Sequence, residues 1–96
     1  MRTISFVWDE TKAESNLKKN KISFKEAQTV FSDPNARMIF DPEHSEDEDR
    51  FILLGISSGL RVLVVCHCYR EDDMVIRIIS ARKANKNEQK QYESYL

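Results

Sequence analysis

Four arginines, Arg61, Arg70, Arg77 and Arg82, lie close together in the chain with His67 and Tyr69 among them. No other stretch concentrates so many groups able to act on a phosphodiester. A guanidinium presents planar, paired donors to phosphate oxygens, and an imidazole changes charge near neutral pH. Cutting RNA without a metal requires a base for the 2′-hydroxyl proton, a cation for the crowded phosphorane and an acid for the leaving 5′-oxygen. His67 suits the proton steps, while Arg77 and Arg82 suit the phosphate. Positioned proton transfer contributes roughly 10²–10⁴ in rate, and one electrostatic donor about 10²–10³. The plainer reading is that strand arginines are solubilising charge and a single strand histidine is structural. Arg82, where the strand gives way to a helix, could equally bridge to an acidic loop.

Other constellations are weaker. Cys66-His67-Cys68 resembles a metal site, but strand alternation sends His67 away from both thiols and no second ligand pair follows. Asp41-Pro42-Glu43-His44 and the acids after it lack the spacing and turn glycine of a calcium loop. No phosphate-binding glycine loop, dinucleotide fingerprint or nucleophile elbow occurs. Neither a cofactor nor a metal is therefore expected.

The elements that must position these groups follow from period and punctuation. Ser5 to Trp8 reads as a strand, and Asp9 caps a helix through about Asn20, ended by Asn20 or Lys21. Ser23-Phe24-Lys25-Glu26 has capping-box spacing, Ile22 is placed as a staple, and Phe24, Ala27, Val30 and Phe31 line one side up to Asp33-Pro34. The brief joint predicts an antiparallel helical hairpin. From Arg37 the period becomes two: strands at Met38–Asp41, Phe51–Ser57, Arg61–Tyr69 and Val75–Ala81, with turns at Ser58-Gly59 and Glu71-Asp72-Asp73. Asn85 caps a last helix, anchored by Tyr92 and Leu96. The expected fold class is α+β, an antiparallel sheet with helices gathered on one face and the other face open for function. Val62, Val64, Cys66 and Cys68 read as the helix-packed side, which turns Arg61, His67 and Tyr69 toward the open side. A three-residue turn would set His67 directly across from Arg77; a two-residue turn would set them diagonally on opposite faces.

With 96 residues the chain has the size of a single domain, here read as 1–96. No signal peptide, membrane-length apolar run or disulfide framework is evident, so the cytoplasm is the expected location and no membrane partner is expected. The formal charge of -1 hides an uneven distribution. Six acids crowd residues 41–50 against Arg50 alone, which leaves the remainder mildly basic and a cationic face feasible.

Phe6-Val7-Trp8-Asp9 followed by Lys12 and Asn16, the block Ile22–Ala27 with Val30-Phe31 and Asp33, Asp41 with His44 and Arg50, then Gly55, Ser57 and Arg61, and finally Ile76–Ala84 with Glu88 and Tyr92 together resemble the BrnT family. The order and spacing of the blocks carry the likeness across nearly the whole chain. The resemblance implies a RelE-like fold and a type II toxin that cleaves RNA, mRNA on or off the ribosome, to block translation. It also implies a BrnA-like ribbon-helix-helix antitoxin, contact with DNA only through that antitoxin, and a hetero-oligomer of two toxins and two antitoxins. Carried over residue by residue, it points to Arg77 and Arg82, then Lys12, His67 and Arg70; the reading thus has Arg77, Arg82 and His67 as catalytic and Lys12, Arg61 and Arg70 as RNA-binding. Asn20-Lys21 depart from the family's usual His-Gly, which removes a helix-ending glycine and a candidate proton donor. The competing reading is a non-catalytic module that binds its antitoxin and tunes repression of the operon.

Overall fold

Asp9 ends the first strand, β1 (Ser5–Val7), and starts the first helix, α1 (Glu10–Asn20). Its carboxylate accepts from the Thr11 and Lys12 amides at 2.8 and 3.1 Å, as an N-cap should. The computed structural model describes residues 3–41, 49–70 and 72–96; most of the acidic run, with His44 and Glu71, lies outside them. Of the two candidate helix ends, Lys21 takes the left-handed conformation, with φ of 63°. Asn20 stays helical because its amide is committed to tertiary contacts, donating to the Ala81 carbonyl at 3.1 Å and to Asn16 Oδ1 at 3.0 Å.

The second helix, α2 (Phe24–Thr29), tightens into a 3-10 turn at Val30–Ser32 before Asp33. Ser23 Oγ accepts from the Glu26 amide at 3.0 Å, but the Glu26 carboxylate is turned outward to Arg61 and Ser57. The 3-10 turn comes so close to the sheet that a Cβ on Gly55 would lie 2.8 Å from Val30 Cγ1 and 2.9 Å from Ala36 Cβ. Glycine is what that approach requires.

The remaining strands are β2 (Arg37–Asp41), β3 (Arg50–Ile56), β4 (Val62–Arg70) and β5 (Val75–Lys83), followed by α3 (Lys86–Glu93). They form a five-stranded sheet in the order β1-β5-β4-β3-β2. β2 to β5 are antiparallel neighbours, as hairpins demand. β1 is not: it pairs parallel to β5, with Ser5 opposite Val75 and Val7 opposite Arg77. The sheet is therefore mixed, because β1 reaches its neighbour through helices and no tight turn dictates its direction.

Two apolar clusters sandwich the sheet. On one face Ile22, Phe24, Ala27 and Val30 pack on Leu53, Leu63, Val65, Ile78 and Ala81; burying each of the large side chains contributes about 1.5–3 kcal/mol. On the other, Ala84 and Tyr92 pack on Leu54 and Val64. Helices thus lie on both faces, contrary to the expectation of one, because the chain leaves β5 by Ala84, whose amide donates to the Val62 carbonyl at 2.9 Å. α3 begins with a complete capping box between Asn85 and Glu88. Tyr92 anchors it, donating to Asp33 Oδ2 at 2.6 Å. Leu96 does not serve as an anchor: the helix stops at Glu93 and Leu96 is 71% exposed. Among the described residues no helix is long and apolar enough to cross a membrane.

Candidate nucleic-acid interface

Residues directly opposite one another on neighbouring strands share a face, so the register assigns every arginine to a side. One row across the sheet reads Arg82, Val64, Leu54, Arg37; the next reads Ser80, Cys66, Ile52, Ile39. A third begins Arg77, Cys68 and continues to Arg50, the residue after which Phe51 pairs with His67. Arg70 completes the same face at the end of β4, opposite Val75. Arg77 and Arg82 therefore stand on one side of the sheet, the side on which Tyr92 and Ala84 cover Leu54 and Val64. The four residue steps from Val64 to Cys68 place them roughly 13 Å apart along the strands.

Between Arg50 and Arg82 lies a groove of about 300 Å3, lined also by Ile52, Val64, Cys66, Ile79 and Ser80. Its floor is apolar and its rim is guanidinium. Arg82 is held in a fork by Glu88, with Nη1–Oε1 of 2.8 Å and Nη2–Oε2 of 2.9 Å. The carboxylate also receives the Asn85 amide at 2.8 Å, so the capping box of α3 orients the arginine. Arg82 stays a cation, its ionisation raised further by the Glu88 hydrogen bond. The same bond holds the Glu88 carboxyl below the usual carboxylate range. The acidic bridge of Arg82 is thus made to α3. Arg37, at the far corner, stacks over the Tyr95 ring at 4.3 Å.

His67 is not in this cluster. It is fully buried on the opposite face. Its ring lies 4.8 Å from Phe31 and 5.2 Å from Tyr69, and its Nδ1 is 3.2 Å from the Val65 carbonyl. Burial pushes its pKa down, so the folded protein holds the ring neutral. His67 pairs across the hairpin with Ile78, and Cys68 pairs with Arg77, so of the two registers the sequence allowed, the diagonal one holds, with His67 and Arg77 on opposite faces. The sheet itself separates the imidazole from the arginines. The faces are the reverse of those the alternation predicts because β4 is apolar on both sides: Val64 and Cys68 are buried, as are Leu63 and Val65. Tyr69 follows His67, its hydroxyl donating to Met38 Sδ at 3.2 Å.

Arg61 also belongs elsewhere. It ion-pairs with Glu26 through two nitrogens, one of them Nε to Oε2 at 3.0 Å, and Ser57 Oγ donates to the same carboxylate at 2.6 Å. This clamp ties the β3–β4 turn to α2 and leaves Arg61 away from the groove.

Lys12 reaches the site from another direction. Ile79 is an extra residue in β5, lodged between the Cys66–Ser80 and His67–Ile78 pairs, and this bulge turns the edge of the strand outward. A second groove of about 260 Å3 lies there, lined by Thr11, Lys12, Ser15, Asn16, Lys19, Asn20, Ile79 and Ser80. Of the predicted residues the register sets Arg77, Arg82 and Arg70 along one face, and Lys12 lines the adjoining groove across the strand edge. The fold excludes His67 and Arg61. Arg50, Cys66 and Ser80 share that face with Arg77, a placement that the strand register shows and local sequence does not. Among the described residues no group of three or more His, Cys, Asp or Glu could hold a metal ion.

A small α+β domain with arginines framing an apolar groove on a sheet face is the class that fold and site define. Residues 8–88 match the family described as the ribonuclease toxin, BrnT, of type II toxin-antitoxin systems, and the chain belongs to that family. The 1.1 Å crystal structure of the Brucella abortus ribonuclease toxin BrnT is similar over 88% of this chain and 100% of that one, at 23% identity and a TM-score of 0.64, which is a likeness of fold. No curated protein matches the chain in sequence.

Proposed function

We propose that this chain, as a single domain spanning 1–96, is a RelE-like endoribonuclease toxin that cuts RNA in the cytoplasm without a metal and so halts translation. The observation that carries the reading is the common face of Arg77 and Arg82 beside Arg50 and an open groove. RNA cleavage of this kind breaks the bond from phosphorus to the 5′-oxygen as the 2′-oxygen attacks, and the 2′-hydroxyl proton ends on the leaving oxygen. The charge that accumulates on the phosphorane is where guanidinium donors act most strongly. Arg77 and Arg82 take that role, while Arg70 and Lys12 hold flanking phosphates. Family membership supports an antitoxin partner; a BrnA-like ribbon-helix-helix protein, binding two to two, is the form proposed.

The test is cleavage of single-stranded RNA by the purified protein, with and without ribosomes. Arg77→Ala should lower the rate by about 10²–10³, measured on protein whose melting curve verifies the fold. Arg82→Ala should do the same but also loosen α3, since it removes the partner of Glu88. Wild-type cleavage by both folded variants would remove the assigned site. Tight antitoxin binding without any RNA cleavage would favour the repression module instead.

A further inference from the structure

We propose that the groove between α1 and β5 is a second RNA subsite, in which Lys12 and Lys19 bind the phosphates of nucleotides that flank the arginine face. The inference rests on the RNA reading above and assigns the path of the strand. Ile79 and Ser80 line both grooves, the one framed by Arg50 and Arg82 and the one facing α1. They form a shared saddle at the edge of the sheet. β1 pairs with β5 only as far as Arg77, so among the described residues no strand covers that edge at Ile79 and Ser80. A single-stranded polyanion can pass from one groove to the other over the bulge.

The chemistry of α1 is sorted accordingly. The lining of the β5-side groove contains two lysines, the hydroxyls of Thr11, Ser15 and Ser80, and no carboxylate. The helix's acids Glu10 and Glu14 line a different, largely apolar groove with Trp8, Leu17 and Phe24. Lys12 and Lys19 are seven positions apart and so lie on one helix face, about 10 Å apart along its axis. Asn16, between them, is fully engaged with the backbone of Ile22 and Ala81, which fixes the helix and its lysines against β5.

The test is equilibrium binding of a fluorescent single-stranded RNA dodecamer across a salt series. Three proteins are compared: wild type, Lys12→Gln/Lys19→Gln, and a control, Lys25→Gln/Lys90→Gln, that removes two lysines outside this groove. Glutamine keeps helix propensity, and melting curves verify the fold. The groove variant should lose about tenfold in affinity near 0.1 M salt, and its log–log salt slope should fall by about 1.4, the value for two phosphate contacts on a single strand. The control should keep a slope near wild type. Equal slopes and affinities for groove variant and wild type, with wild type binding RNA, would overturn the subsite and leave the arginine face standing. An equal drop in the control would also overturn it, by showing net charge alone at work. Failure of wild type to bind RNA in any salt would sink the RNA reading itself.

Discussion

His67 shows how one side chain changes meaning when its surroundings are known. As a strand histidine among arginines it suits proton transfer; buried against Phe31 and Tyr69, it is a neutral core residue. Its folded pKa is lower than the ordinary 6.5. As pH falls below that value the unfolded chain takes up a proton that the folded one refuses, so stability present above it is lost. Unfolding free energy should therefore decline as pH falls below about 6.5, before Glu26, Glu88 and Asp33, whose carboxyls are held low by their partners, begin to matter. His67→Phe should abolish that slope and leave RNA cleavage unchanged, both read from denaturant titrations and cleavage rates at each pH. A loss of cleavage in this folded variant would return the imidazole to the mechanism.

The helices and strands were the most readable level. Asp9, Ser23 and Asn85 each occupy an N-cap and bond as that position demands. Hairpin alternation outlined β2 to β5 to within a few residues. What periodicity could not convey is the work done by Asn16. Its amide donates to the carbonyls of Ile22 and Ala81 at 2.8 and 2.9 Å and accepts from the Ala81 amide at 3.1 Å, taking the place of a neighbouring strand along an unpaired edge. Asn16→Ala should strand the Ala81 N–H and the Ile22 carbonyl and cost about 2–5 kcal/mol. Asn20→Ala should cost only about 1 kcal/mol, because Asn16 still serves the Ala81 carbonyl. Guanidinium unfolding of both variants checks the ranking; equal costs would show that Asn16 is not the element's anchor.

Across the whole molecule, opposite charges are divided between jobs. Glu26 neutralises Arg61 in a clamp on the turn, and Glu88 neutralises Arg82 beside the groove. The second pair links the cap of α3 to the proposed RNA contact. Glu88→Gln should free Arg82 for phosphate and tighten RNA binding about fivefold, a change near 1 kcal/mol at close range in water. It should also weaken the cap of α3, lowering stability by about 1 kcal/mol. Anisotropy titrations and thermal melts read the two effects separately. Unchanged RNA affinity in this variant would mean that Arg82 does not meet the phosphate.

Local chemistry in the chain was enough to specify caps, turns, strand limits, the family blocks and the concentration of arginines near the C-terminus, since each depends on neighbours a few positions away. The side of the sheet on which each of those groups would emerge was not encoded locally. β4 runs through the middle of the sheet and is apolar toward both layers, so its alternation has no polar side to declare its phase. Packing of α2 on Leu63 and Val65, and of Tyr92 on Val64, settled that phase. The bulge at Ile79 then moved the β5 partners by one residue. Those long-range contacts put Arg77 and Arg82 on a common face and His67 and Arg61 behind it.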